Sequence, residues 1–381
     1  MQKQIGPYLD VIIFFSSLLF FAALLLLPIE TDIQDHARGI QRVVSGDILP
    51  PANFLYYLVV YMVALSSTGT SPLFVSSALV LSLSVAAKFR ITREICVEYY
   101  RDVLGDNAAS DVIVVVWSVL LLIVFSLPIS TFYLGQIPPN VWHNSTTIFV
   151  MPFALSLFWL SYKQLVEPAP RRILFIGALC VLNVFIKPSF FFVFSLSYPL
   201  MLVRRFGLGR RMWRNLWPVV VGLIMLLVLY VLIYLLSFGS ARVGESGIAI
   251  RPFSVWSRYS SNIPLSLVAS FAFPITYLAF YWREVSKHLL LQYSLLGSLI
   301  SICIFVMLSE TGPREFHGNF GWQCIICNYI LFLVTTVLFA EKVNTVGLRN
   351  WKNKTILAAF LLHVLAGFLY LARALYTRYM F

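Results

Sequence analysis

Charge is scarce in this sequence, and acid is scarcer than base. Only 12% of the 381 residues are Asp, Glu, Lys or Arg, with 16 acids against 28 bases. Hydrophobic residues make up 60% of the chain and mean hydropathy is +0.84, which excludes an ordinary soluble domain. Cysteine is sparse too. Of five, only Cys324 and Cys327 form a CxxC, which opens an apolar run and has no second pair, so neither a zinc site nor a thiol redox centre is expected. No internal repeat, low-complexity segment or lipidation motif is present. The first apolar run, 11–28, is too long for a signal-peptide core and no small-residue cleavage site follows it, so it reads as a retained span. The net charge of +12 would suggest nucleic acid in a soluble chain. Here the basic residues fall in short loops between apolar runs, which gives them a topological role and predicts no nucleic-acid partner.

What the chain has instead is apolar runs long enough to cross about 30 Å of hydrocarbon. Candidate spans are 9–29, 71–88, 111–128, 147–162, 173–186, 189–203, 216–238, 263–281, 291–308, 323–340 and 356–376. The predicted fold class is therefore all-α: one polytopic transmembrane domain, 1–381, of about eleven spans. The loops KFRITREICVEYYR, KQLVEPAPRR, RRFGLGRRMWR, WREVSK and EKVNTVGLRNWKNK, with Lys3, hold all but nine of the 28 basic residues. The positive-inside rule places them on the cytoplasmic side. Two segments fix the parity. NFLYYLVVYMVALSS (53–67) would export the loop with Lys88, Arg90, Arg93 and Arg101 if it crossed, so it is expected to lie along the outer interface. The stretch 173–203 would export five arginines as a single span, so it must be a hairpin turning at Lys187-Pro188. Each arm is then about 15 residues, roughly 22 Å of helix, which sets Lys187 below the outer surface and facing a cavity.

The outer loops differ in kind from the inner ones. They hold His36, His143 and His317, and acids with no helical salt-bridge partner in sequence. The loop 30–70 begins ETDIQDHARGI. Read as a helix it places Ile33, Ala37, Ile40 and Val44 on one apolar stripe, with Asp32 at an N-cap-like position and Asp35 in the first turn. Those acids are either dipole partners of the helix or a general base facing a cavity. PPNVWHNSTT offers Trp142 as a stacking face and His143 and Asn144 as directional hydrogen-bonding groups, which suits a sugar ring; a helix cap at Ser145 or Thr146 is the plainer alternative. ETGPREFHGNFGW gathers Glu310, Arg314, His317 and Asn319 between glycines. It is either a phosphate-binding loop through the Arg314 fork or a structural loop closed by its own ion pairs. Arg242, Arg251 and Arg258 add outward positive charge that suits lipid headgroups as well as substrate. Asp32, Asp35 and His36 are too few to bind a divalent metal other than weakly, and no cofactor is expected.

These features resemble the GT-C superfamily, membrane glycosyltransferases that take a sugar from a polyprenyl-phosphate carrier. The likeness lies in the order of parts over roughly 1–203. A first span is followed by an outer acidic motif (Asp32, Asp35, His36), two interfacial helices near 35–46 and 53–67, and a hairpin with a Lys-Pro turn. Many relatives carry an adjacent acidic pair, whereas two residues separate Asp32 from Asp35 here. The resemblance implies an inverting transfer from the polyprenyl-phosphate-sugar to a glycan or lipid acceptor. The site would face the periplasm at a bacterial inner membrane. It implies Asp32 as base, oriented by Asp35 or His36, with Lys187 and Arg314 on the phosphate. Trp142, His143, Asn144, Glu310, His317 and Asn319 would line the substrates. The rival expectations are a polymerase of lipid-linked oligosaccharides, another outer-face transferase such as a histidine-based acyltransferase, and a lipid-glycan flippase or transporter.

Overall fold

The computed structural model describes residues 5–27, 29–104, 111–129, 135–237 and 247–380, and for residues 5, 7, 102–104, 111–112 and 233–237 the backbone alone. Lys3 and Arg242 lie outside the described residues. The chain is 79% helical, with 14 α-helices among the described residues. They are α1 Ile5–Leu26, α2 Asp32–Val44, α3 Leu55–Val63, α4 Thr70–Leu104, α5 Asp111–Ile123, α6 Ser145–Val166 and α7 Pro170–Ile186. Then come α8 Ser189–Phe206, α9 Arg210–Ser237, α10 Ser254–Tyr259, α11 Ile263–Tyr281, α12 Leu289–Met307, α13 Trp322–Val346 and α14 Trp351–Thr377.

Every expected span coincides with a helix, but among the described residues only eight are long and apolar enough to cross a membrane: α1, α4, α6, α9, α11, α12, α13 and α14. The other three, α5, α7 and α8, run 13, 17 and 18 residues. The all-α expectation has one local exception. Strands β1 Ile248–Ile250 and β2 Leu308–Glu310 pair antiparallel, with Ala249 opposite Ser309. Three-residue strands carry too little alternation to be read from sequence.

By its internal contacts the chain divides into two compact units. One comprises residues 1–91, 141–245 and 374–380; the other comprises 92–140 and 246–373. In the first, α6, α7, α8 and α9 pack on one another. Phe191, Phe194 and Tyr198 fill the interior, the last two stacked with centroids 4.9 Å apart. Gly177 lets α7 approach α9, because a Cβ there would meet the Trp217 ring at 2.9 Å.

The second unit is built round α13, whose residues from Trp322 to Phe339 are buried without a break. A helix that is apolar on all sides is expected only where other helices surround it. Here α5 stops at Ile123 and the chain soon leaves the helix, with backbone groups partnered across to other segments. The Phe125 N–H donates to the His363 carbonyl (3.0 Å), His363 Nδ1 meets the Phe125 carbonyl (2.6 Å), and Asn140 Nδ2 donates to the carbonyls of Leu121 and Val124. Irregular backbone among apolar helices persists only when its polar groups are satisfied in this way.

Candidate functional site

The site in the first unit begins with a helix start. Thr31, not Asp32 as the sequence suggested, caps α2: its hydroxyl accepts from the Ile33 N–H, and Gln34 Oε1 accepts from the Thr31 N–H at 2.8 Å. This is a capping box, and it moves Asp32 into the first helical position, where the dipole favours a carboxylate. The stripe Ile33, Ala37 and Ile40 is buried as expected, while Val44 at the end of the helix is exposed. Asp35 turns outward and pairs with Arg38 at 3.1 Å, its side chain 71% exposed. That pair, and Glu310 with Arg314, are the helical-spacing partners that the sequence reading had not found.

The second component is the start of α6. Asn144 is the N-cap, rather than Ser145 or Thr146, and its Oδ1 accepts from the Thr147 N–H at 3.0 Å. The same oxygen accepts from the hydroxyls of Thr147 (2.7 Å) and Thr146 (3.1 Å). Its Nδ2 donates to Asp32 Oδ2 at 2.5 Å. Asn144 and His143 are buried, and Trp142 is half-buried with its ring edge-on to Phe20.

Lys187 supplies the third component. Pro188 disfavours helical backbone in the residue before it, so α7 ends at Ile186 and Lys187 is extended (φ −167°, ψ 110°). Its side chain is buried and its Nζ donates to Asn144 Oδ1 at 3.0 Å and Thr146 Oγ1 at 3.1 Å. Burial pushes the amine down to about 7, against the opposing pull of the Asp32 carboxylate.

His36 completes the cluster. Its Nδ1 lies 2.5 Å from Ser145 Oγ, and its ring is edge-on to Tyr57 with centroids 5.3 Å apart. Burial, and then the nearby Lys187 charge, pushes His36 and His143 down to about 3, so both rings are neutral near pH 7. Beside His36 lies an apolar groove of about 330 Å³, walled by Ile40, Val44, Pro50, Pro51, Tyr57 and Tyr61. Tyr57 touches both the groove and His36.

The remaining sequence candidates belong to the second unit. Glu310 accepts from Asn319 Nδ2 at 2.5 Å and pairs with Arg314 Nε at 3.5 Å, and Trp322 Nε1 donates to Asn319 Oδ1 at 3.4 Å. Arg251 pairs with Glu315, Arg258 lies over the Phe316 ring at 5.9 Å, and His317 is exposed. The loop is held by the local Glu310–Arg314 pair, by the amide of Asn319 and by the Arg251–Glu315 pair to β1's flank.

Asp32, His36, Asn144 and Lys187 thus meet in one place, whereas Asp35 points away from it. Ser145, Thr146, Thr147, Thr31 and Gln34 belong to the same constellation; the T-x-x-Q capping signature at 31–34 was the signal for two of them. Among the described residues, no group of three or more His, Cys, Asp or Glu side chains converges to hold a metal. Chemically, the cluster offers a carboxylate, a titratable amine and two neutral imidazoles beside an apolar groove. Comparison with protein families, with curated proteins and with solved structures found no match to this chain.

Proposed function

We propose that the chain is a membrane glycosyltransferase of the GT-C kind, moving a sugar from a polyprenyl-phosphate carrier to a hydroxyl acceptor with inversion. The observation that carries this reading is the meeting of Asp32, from the start of α2, and Lys187, from the α7–α8 turn, on the two ends of one amide, Asn144. A transfer of this kind needs a base for the acceptor and a cation for the leaving phosphate, both held in a water-poor setting. In the proposed step an Asp32 oxygen takes the acceptor hydroxyl proton. The freed oxygen attacks the anomeric carbon from the face opposite the phosphate. The bond from that carbon to the phosphate oxygen breaks, and the polyprenyl phosphate leaves with the electron pair. Lys187, protonated, faces the phosphate. The groove beside His36 suits a substrate that carries a hydrocarbon chain.

The topology that goes with this reading has α7 and α8 as a short hairpin, α5 as a further crossing, and α2 and α3 along the interface. The cluster then opens to the outer, periplasmic face. Mass spectrometry of lipid-linked glycans from cells carrying Asp32→Asn in place of the natural chain tests the reading. Polyprenyl-monophosphate-sugar should accumulate several-fold. An unchanged pool would contradict the reading, and accumulation of a diphosphate-linked oligosaccharide would transfer it to the polymerase class.

A further inference from the structure

Asn144 looked, as a sequence, like a contact for a sugar. Within the protein its side chain bonds through both its nitrogen and its oxygen. One amide group donates to Asp32 and accepts from Lys187, while the same oxygen caps α6 through Thr147. An N-cap asks only for an acceptor, which Ser or Asp would supply as well. The nitrogen end is therefore surplus to capping, and the structure spends it on the carboxylate of the candidate base. We propose that Asn144 is a positioning residue that couples Asp32 to Lys187, fixing both to the first turn of α6 so that carboxylate and amine act as one unit.

The inference rests on the glycosyl-transfer reading for its purpose but not for its geometry. Polarisation passes through the amide: a carboxylate drawing on the Nδ2–H makes Oδ1 a better acceptor for the Lys187 ammonium. Protonated Lys187 is thereby favoured when a phosphate arrives. The titratable groups that act on Lys187 or feel its charge include Asp32 and His36 from α2 and His143 from the segment leading into α6. Asp32 is the one that favours its charged form.

The test needs no sugar. In the full-length protein in detergent, trace acetylation of Lys187 by acetic anhydride, followed across pH by peptide mass spectrometry, gives its titration midpoint. Asp32→Asn should lower that midpoint by about one pH unit, a tenfold change in the protonation constant. In an Asn144→Ser background, which keeps a cap on α6 and so a thermal midpoint near that of the natural protein, the same Asp32→Asn change should move it by less than half as much. Equal shifts in both backgrounds would overturn the coupling. So would a Lys187 that does not label at all, because a phosphate could not then reach it. If the coupling holds while Asn144→Ser leaves the lipid-linked sugar pool unchanged, the positioning role stands and the transfer reading fails.

Discussion

The loop that opens α2 and the loop between α12 and α13 have nearly the same composition. Each has acids, an arginine, a histidine and an amide within a short stretch, and both looked like one end of an active site. Their environments separate them. Around Asp32 the partners come from two distant parts of the chain, the start of α6 and the α7–α8 turn, and Lys187, His143 and Asn144 are buried. Around Glu310 the ion pairs are local, and the Arg314 side chain is 57% exposed. Exposed pairs of that kind contribute on the order of 0–1 kcal/mol and stay close to solvent behaviour. A buried amine and two buried imidazoles cannot, because each must give up its charge or be held to a partner. Displaced proton affinities mark where a protein has accepted a cost to stability, and such costs cluster at functional sites.

The comparison can be pressed hardest at its two cations. Lys187→Met should lower sugar transfer by about 10²–10³-fold, the range seen when one stabilising donor is lost. It should also raise the thermal midpoint. The sign follows from linkage. The folded amine titrates near 7 and the unfolded one near its ordinary value, so at pH 7 the unfolded chain binds more protons and the lysine opposes folding. Arg314→Met, the matching change in the exposed loop, should move stability by no more than about 1 kcal/mol. A destabilised Lys187→Met, or an equally severe Arg314→Met, would erase the distinction.

A separate effect comes from acid. His36 and His143 are held down to about 3, so the stability that their neutral forms carry is present above the ordinary histidine value. It is lost as pH falls from 6.5 towards 3, because the unfolded chain takes up protons that the folded chain refuses. The slope for two such groups is at most about 2.7 kcal/mol per pH unit. Thermal unfolding in detergent should show that decline, and His36→Gln with His143→Gln should flatten it.

The sequence made the helices legible because apolar length is a strong signal; all eleven expected spans carry helices, down to the break at Lys187-Pro188. Among the described residues, eight of these helices are long and apolar enough to cross alone. α7 and α8 were inferred from loop charge, and charge reports topology rather than helix length. The site was legible in its residue types and partly in its roles. Asp32, His36 and Lys187 stood out as charges out of place. Asp32 was misread as the cap because an acid before an apolar stripe is the familiar pattern, although the Thr31–Gln34 box sat beside it. The place of Asn144 between Asp32 and Lys187 was less legible still. Nothing in WHNSTT says that an amide flanked by hydroxyls will be buried, since that depends on where α2 and the α7–α8 turn arrive. The β1–β2 pairing was beyond reach for the same reason, being a contact between segments some sixty residues apart (Ala249 to Ser309).

The central claim is that Asp32, and not Asp35, takes the acceptor proton. It is tested most directly in proteoliposomes loaded with the lipid that accumulates in Asp32→Asn cells, by measuring lipid binding and sugar discharge separately for Asp32→Asn and Asp35→Asn. The account predicts that both variants bind the lipid. Asp32→Asn should discharge it about 10²–10⁴-fold more slowly than the natural protein, while Asp35→Asn stays within a few-fold of it. Normal discharge by Asp32→Asn, or a loss confined to Asp35→Asn, would contradict it.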